Sequence, residues 1–214
     1  MSRPSDRVRV RRNPKAGHYD RERIEAILDR SLFGHVAFVD DGHPVCIPML
    51  YARIGPKVYI HGSRASRTMR LLARGEPACV AVTVLDGLVL ARSVFEHSAN
   101  YESVVAFGRF HEITGQGERL AALEAFTEKL LPGRWNEARQ PNAKEMKATT
   151  VLALEIDEAS AKVRTGPPDD DGTADAELDI WAGELPIRQV FGAPVPSPGL
   201  RVDVDERKRP SGTA

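Results

Sequence analysis

Short β-favouring runs cut by tight-turn dipeptides recur through the first 165 residues, and this rhythm constrains the fold more than any other feature. Gly34–Asp40 is followed by Asp41-Gly42 and Pro44–Tyr51, and Gly55-Pro56 precedes Val58–His61. Ala78–Leu85 leads through Asp86-Gly87 into Leu88–Val94. Asp-Gly and Gly-Pro pairs supply turn geometry, so the runs between them read as strands. A connection over Phe95–Tyr101 precedes a longer strand at Ser103–Thr114, and Ala148–Val163 reads as the last. Six or seven strands with few helices predict a mainly β protein, a closed antiparallel barrel with peripheral helices. The βαβ alternation and glycine-rich fingerprint of a doubly wound nucleotide-binding fold are missing.

Helical spacing appears in three places. Ile24, Ile27 and Leu28 follow Asp20, and Leu120, Leu123, Phe126 and Leu130 precede the stop at Pro132-Gly133. The third is the most informative: Val58–Leu72 reads VYIHGSRASRTMRLL. Val58 and Ile60 alternate with Tyr59 and His61, as in a strand. Gly62-Ser63 ends the alternation, and Ser63 is the expected N-cap of a helix stopped by Gly75. Ala65, Met69, Leu72 and Ala73 then share one face, while Arg64, Arg67, Arg70 and Arg74 crowd the other. Leu71 falls among the arginines and does not fit. Arginine at the positive end of a helix is unfavourable unless an anion docks there. The pattern fits either a phosphate seat or a solvated basic face.

The 214 residues suit one domain with extensions: a flexible arm over 1–17, a barrel over 18–165, and an acidic loop with a C-terminal extension over 166–214. In that extension Leu178–Pro186 can pack through Ile180, Trp181 and Leu185, and little fixed structure is expected after Pro194. Lys+Arg and Asp+Glu are both 30, so no basic excess points to nucleic acid. No apolar run reaches membrane-span length and the Arg-rich start is not a signal peptide, so a cytoplasmic location is expected. Cys46 and Cys79 lie in apolar runs and read as buried thiols outside any CxxC pattern. The six histidines lack HxxxH or HExxH spacing, so no metal site is expected. There is no GxSxG elbow. His61, beside the arginine junction, reads as a site residue or as a structural strand-end histidine. Arg92-Ser93 interrupts an apolar run and suits either a ligand contact or cross-strand pairing.

Three stretches taken together resemble the flavin-binding split-barrel superfamily: IPMLYARIGPKVYIHGSRASRTMRLL, EPACVAVTVLDGLVLARS and HSANYESVVAFGRF. The nearest branch is the pyridoxamine 5′-phosphate oxidase-like proteins that include the nitroimidazole-resistance proteins. The resemblance spans roughly residues 18–165. It implies a six-stranded antiparallel split barrel forming a homodimer, with FMN in a cleft at the dimer interface. It also implies that the backbone of Pro48, Met49 and Leu50 lines the flavin ring, and that His61, Gly62 and Ser63 edge the cleft. Ser66 and Arg67 hold the phosphate in this reading. Thr68 stands where the vitamin-converting oxidases have lysine, with Arg64 as partial replacement, and Ser93 falls where they have a flavin-contacting glutamine. The terminal substrate-reading segment of those oxidases is matched only at Trp181-Ala182-Gly183, so pyridoxamine phosphate is not the expected substrate.

The expected function is therefore an FMN-dependent oxidoreductase acting on a small molecule, with His61 as the candidate proton donor. Two alternatives stay open. One is a split barrel that carries deazaflavin or haem, with His61 able to ligate iron. The other is a flavin-binding module without catalysis of its own.

Overall fold

The computed structural model describes residues 4–170 and 172–200. In chain order the elements are β1 (Gly17–His18), α1 (Arg21–Arg30), β2 (Phe33–Asp40), β3 (His43–Leu50), β4 (Ala52–Ile54) and β5 (Lys57–Ser63). There follow α2 (Arg67–Leu72), β6 (Pro77–Leu90), β7 (Ser98–Glu112), α3 (Gln116–Leu130) and α4 (Arg134–Glu137). The series ends with α5 (Ala143–Ala148), β8 (Thr149–Arg164) and β9 (Gly183–Pro186).

The mainly β architecture with peripheral helices holds, but the closed six-stranded barrel does not. The nine strands form one antiparallel sheet in the order β3-β2-β6-β7-β8-β5-β4, with β1 added to β8 and β9 to β6. The two end strands are consecutive in sequence and are not paired with each other, so the sheet does not close. Tyr51 makes that step: its ring is buried and its hydroxyl donates to the Leu28 carbonyl at the end of α1. Lys129 of α3 donates to the same carbonyl at 3.0 Å, so both helices are tied to the corner.

Alternation along the strands sends Val36, Val58, Ile60, Val80, Phe110, Leu152 and Leu154 into the main core with Ile27 and Leu28 of α1. Residues on the other face of β5 and β8, namely Tyr59, Val151 and Ala153, meet Ala122 and Phe126 of α3 in a second cluster. The four apolar positions expected to mark α3 are not all inside, since Leu130 is exposed. Among the described residues no helix is long and apolar enough to cross a membrane.

The Asp41-Gly42 hairpin forms as read, with φ of 50° and 76°. Asp86-Gly87 does not turn. It lies within β6 as a bulge against β7, between Leu85 and Gly87. The strand continues through it, paired on both sides, with Gly87 opposite Asn100 of β7 and Pro186 of β9. A Cβ on Gly87 would stand 3.0 Å from the Leu185 carbonyl oxygen, so this glycine provides room rather than a turn. β7 likewise begins at Ser98, inside the expected connection.

The flanking segments are tied to the sheet. Ser5 and Arg7 bond Glu158 of β8 at 2.9 Å, and Val8 is buried. In the acidic loop Asp170 is buried and accepts from the Arg92 amide at 2.8 Å and its guanidinium at 3.1 Å. β9 attaches through backbone pairing and leaves Ile180, Trp181 and Leu185 exposed, contrary to the expected side-chain packing. Residues 195–200 form no helix or strand, and the expectation for 201–214 lies outside the described residues.

Candidate functional site

The β5–α2 junction is built differently from the sequence pattern. The N-cap of α2 is Ser66, whose hydroxyl accepts from the Met69 amide, and Ser63 instead bonds the Ala65 amide at 3.2 Å. A tight turn, Ser66 N–H to Ser63 carbonyl at 2.9 Å, takes up the intervening residues. Arg64 therefore precedes the helix. Its amide donates to the Ala148 carbonyl at 2.9 Å and its guanidinium pairs with Glu112 at 3.0 Å.

Of the arginines, Arg67 alone sits in the first turn of α2, and an anion does meet it: the Asp40 carboxylate from the β2–β3 hairpin. The carboxylate is 12% exposed and the Arg67 side chain 77%, so Arg67 presents most of its surface to solvent. Leu71, out of place on the helical wheel, turns towards the same hairpin. With Phe38, Asp40, Leu72 and Arg74 it lines a cavity of about 190 Å³. Gly62 lets α2 lie against β5, because a Cβ there would come 3.0 Å from Met69 Cγ.

His61 and Leu50 converge from two strands on the α3 cluster. Leu50 packs on it, and the His61 ring stands edge-on to Phe126 with centroids 4.4 Å apart. Although His61 keeps solvent access, desolvation against that wall lowers its pKa from the usual 6.5 and favours the neutral ring. Neutral imidazole is a poor acid and a good acceptor or metal ligand. Beside it on β5, the Tyr59 hydroxyl donates to Glu118 at 2.8 Å and Lys57 joins the same carboxylate at 3.0 Å. Desolvation, then that bond, pushes Tyr59 up to about 12.

Pro48, Met49 and Leu50 end β3 opposite His35, Gly34 and Phe33 of β2. Pro48 is exposed and Met49 packs on the main core. His61, Gly62, Ser63, Arg64, Ser66, Arg67 and Thr68 form one continuous stretch. Ser93 is not with them. It follows β6, where it caps a short turn by accepting from the Phe95 amide at 3.2 Å. Ser63 pairs with Thr149 at the start of β8, whereas the β6–β7 end near Ser93 lies by Arg164 at the other end of that strand. The two thiols also differ from expectation: Cys46 is exposed and Cys79 partly so, because both face away from the core in one cross-strand row with Ala37.

Sequence spacing gave no sign of Asp40 as the partner of Arg67, or of Phe126 as the wall behind His61. Both contacts arise from long-range pairing. Among the described residues no group of three His, Cys, Asp or Glu side chains converges as a metal site.

A twisted antiparallel sheet with an arginine-bearing turn at the end of β5 is the architecture of the split-barrel class. The chain belongs to the pyridoxamine 5′-phosphate oxidase family, whose model matches residues 20–163. It is similar to the flavocytochrome Anf3 of Azotobacter vinelandii: 40% identity, 95% of each chain covered, TM-score 0.87. It is also similar to the FAD and haem binding protein of Mycobacterium smegmatis: 40% identity, 92% of this chain and 94% of that one, TM-score 0.82. A candidate 5-nitroimidazole antibiotic resistance protein from Bacteroides thetaiotaomicron shares the fold, with 20% identity over 69% of this chain and 87% of that one and a TM-score of 0.58. No curated protein matches the chain.

Proposed function

We propose that this chain is a flavin-binding redox protein that acts as a homodimer. The observation that carries the reading is the 40% identity, over nearly the whole chain, to proteins described as a flavocytochrome and as binding FAD and haem. The second of those descriptions names FAD, so the FMN expected from the sequence broadens to a flavin.

The residues at the β5–α2 junction fit such a group. The Ser66 and Thr68 side chains and the guanidinium groups of Arg67 and Arg64 supply hydroxyl and charge-assisted donors suited to a phosphate. Arg67 can exchange the Asp40 carboxylate for a phosphate because it is mostly exposed. Pro48, Met49, Leu50, His61, Gly62 and Ser63 would border the ring. Ser93 lies too far along the sheet to join them within one chain, so in this reading a second copy supplies it. The outward row Pro48, His35, Ala81 and Val105, small or apolar apart from the histidine, is a suitable surface for that copy. A bound flavin supplies hydride and single-electron chemistry, while the protein binds, orients and shields it.

A second reading, haem as an additional or alternative group, is favoured by His61. Its ring is biased to the neutral form and backed by Phe126, so it would suit as a ligand to haem iron. The absorption spectrum of the purified protein tests both readings. Paired flavin bands support the first and an intense Soret band the second, and a colourless preparation that takes up neither group on reconstitution rejects both. Bleaching of the flavin bands by a nicotinamide donor then separates a reductase from a passive carrier.

A further inference from the structure

A second feature borders the same junction on the side away from Asp40. An open cleft of about 670 Å³ lies between Arg64, the start of α3 and α5. Its volume falls within the roughly 300–1,000 Å³ typical of small-molecule sites. Three cationic side chains line it, Arg64, Arg119 and Lys147, and no carboxylate does. The nearby acids already have partners: Glu112 pairs with Arg64, Glu118 with Lys57 and Glu145 with Arg139. Lys147 has no ion-pair partner among the described residues, so the cleft keeps an uncompensated positive charge.

Its walls are held in place. Arg119 donates to the carbonyls of Met146 and of Thr149, the latter at 2.8 Å, which fixes the C-terminal end of α5. At the other end Asn142 and Glu145 form a reciprocal capping box. A six-residue helix fastened at both ends gives a preorganised wall, which lowers the ordering cost of binding. Leu120, Pro141 and Met146 make an apolar flank, and among the described residues the Gln116 side-chain amide has no hydrogen-bond partner. A side-chain amide can pair with the N6/N7 edge of adenine, an apolar flank accepts its ring face, and the cations suit a phosphate.

We propose that this cleft seats an adenosine 5′-phosphate group. The group has two sources: the distal half of FAD, which rests on the flavin reading above, or a free adenine nucleotide, which does not. The test titrates AMP calorimetrically into the protein as isolated and after flavin removal, for wild type and Lys147→Glu. Acid-extracted cofactor is identified by chromatography, and thermal melts confirm that the variant folds.

AMP binding weakened about tenfold or more by the charge reversal supports the cleft. Binding seen only after FAD is removed identifies the FAD half, as does a fall in the FAD:FMN ratio in Lys147→Glu. Binding with flavin still in place identifies a free nucleotide. Protein that neither carries flavin nor takes it up on reconstitution, yet binds AMP, keeps this proposal and rejects the flavin one. No AMP binding in either form, with an unchanged FAD:FMN ratio in the variant, overturns it. AMP binding that is indifferent to Lys147→Glu overturns it as well.

Discussion

The imidazole of His61 stands edge-on to the Phe126 ring at an interplanar angle of 81°, joining the end of β5 to the middle of α3. This contact gives the candidate site residue a titration signature. Its pKa is lowered in the folded protein, so below the ordinary value of 6.5 the unfolded chain binds the proton first. Stability should therefore fall as pH drops from 6.5 towards the folded pKa, and carboxylate protonation should add to the loss only below about 4.5. Melting temperatures between pH 7 and pH 5 should decline in the wild type and decline less in His61→Gln. Parallel curves for the two proteins would remove the desolvated-imidazole account.

Lys129 predicts the opposite end of the pH scale. Its ammonium lies 3.7 Å from the centroid of the Tyr51 ring, and burial lowers its pKa to about 8. Between about 8 and the ordinary 10.5 the unfolded chain holds more protons, so this group makes stability rise with pH across that window. The raised pKa of Tyr59, about 12, works against this above pH 10. The clean interval is therefore pH 8 to 10, where Lys129→Met should flatten the rise seen in wild-type thermal melts.

The strands, the Asp41-Gly42 hairpin and the start of α1 after Asp20 were legible because each is set by residues next to one another in the chain. The features that escaped depend on what lies across the sheet. Asp86-Gly87 carries turn chemistry but lies between two hydrogen-bonded neighbours, and pairing overrode the local preference. Ser63 and Ser66 both suit an N-cap, but Ser63 still pairs with Thr149 as the last residue of β5 and bonds the Ala65 amide, so the cap falls to Ser66. Cys46 is apolar in type yet exposed, since alternation gives only the period of a strand and not which of its faces is buried.

Gly62 and Gly108 mark close approaches of different severity. At Gly62 a new Cβ would press on the flexible Met69 side chain, so Gly62→Ala should cost about 1 kcal/mol and loosen α2. At Gly108 it would lie 2.2 Å from the Glu155 carbonyl oxygen, beside the irregularity in the β7–β8 register. Backbone cannot yield as a methionine can. Gly108→Ala should cost more than about 3 kcal/mol or abolish folding, and denaturant titration of the two variants would reveal the difference.

Arg67 separates cofactor binding from folding. Its ion pair with Asp40 is formed by a side chain that is 77% exposed, and such pairs contribute roughly 0–1 kcal/mol. Arg67→Ala should leave the melting temperature of the flavin-free protein nearly unchanged while strongly reducing the flavin retained through purification. Asp40→Asn should leave retention equal or higher, because it frees the guanidinium for a phosphate. Full retention in Arg67→Ala would take the phosphate away from α2.

Ala81 tests whether the outward face of the sheet joins two copies. It lies on β6 opposite His35 on one side and Val105 on the other, within a partly exposed and largely uncharged surface. A carboxylate at that position costs little in a solvated monomer, but it must be desolvated when a second sheet covers it. Ala81→Glu should therefore convert a dimer to a monomer in light scattering at micromolar concentration, with the fold retained by circular dichroism. If Ser93 reaches the flavin only from a second copy, the monomer should also lose flavin in proportion. A dimer that survives the substitution would place the contact elsewhere, and a monomer with full flavin content would show that Ser93 of a second copy is not needed to hold it.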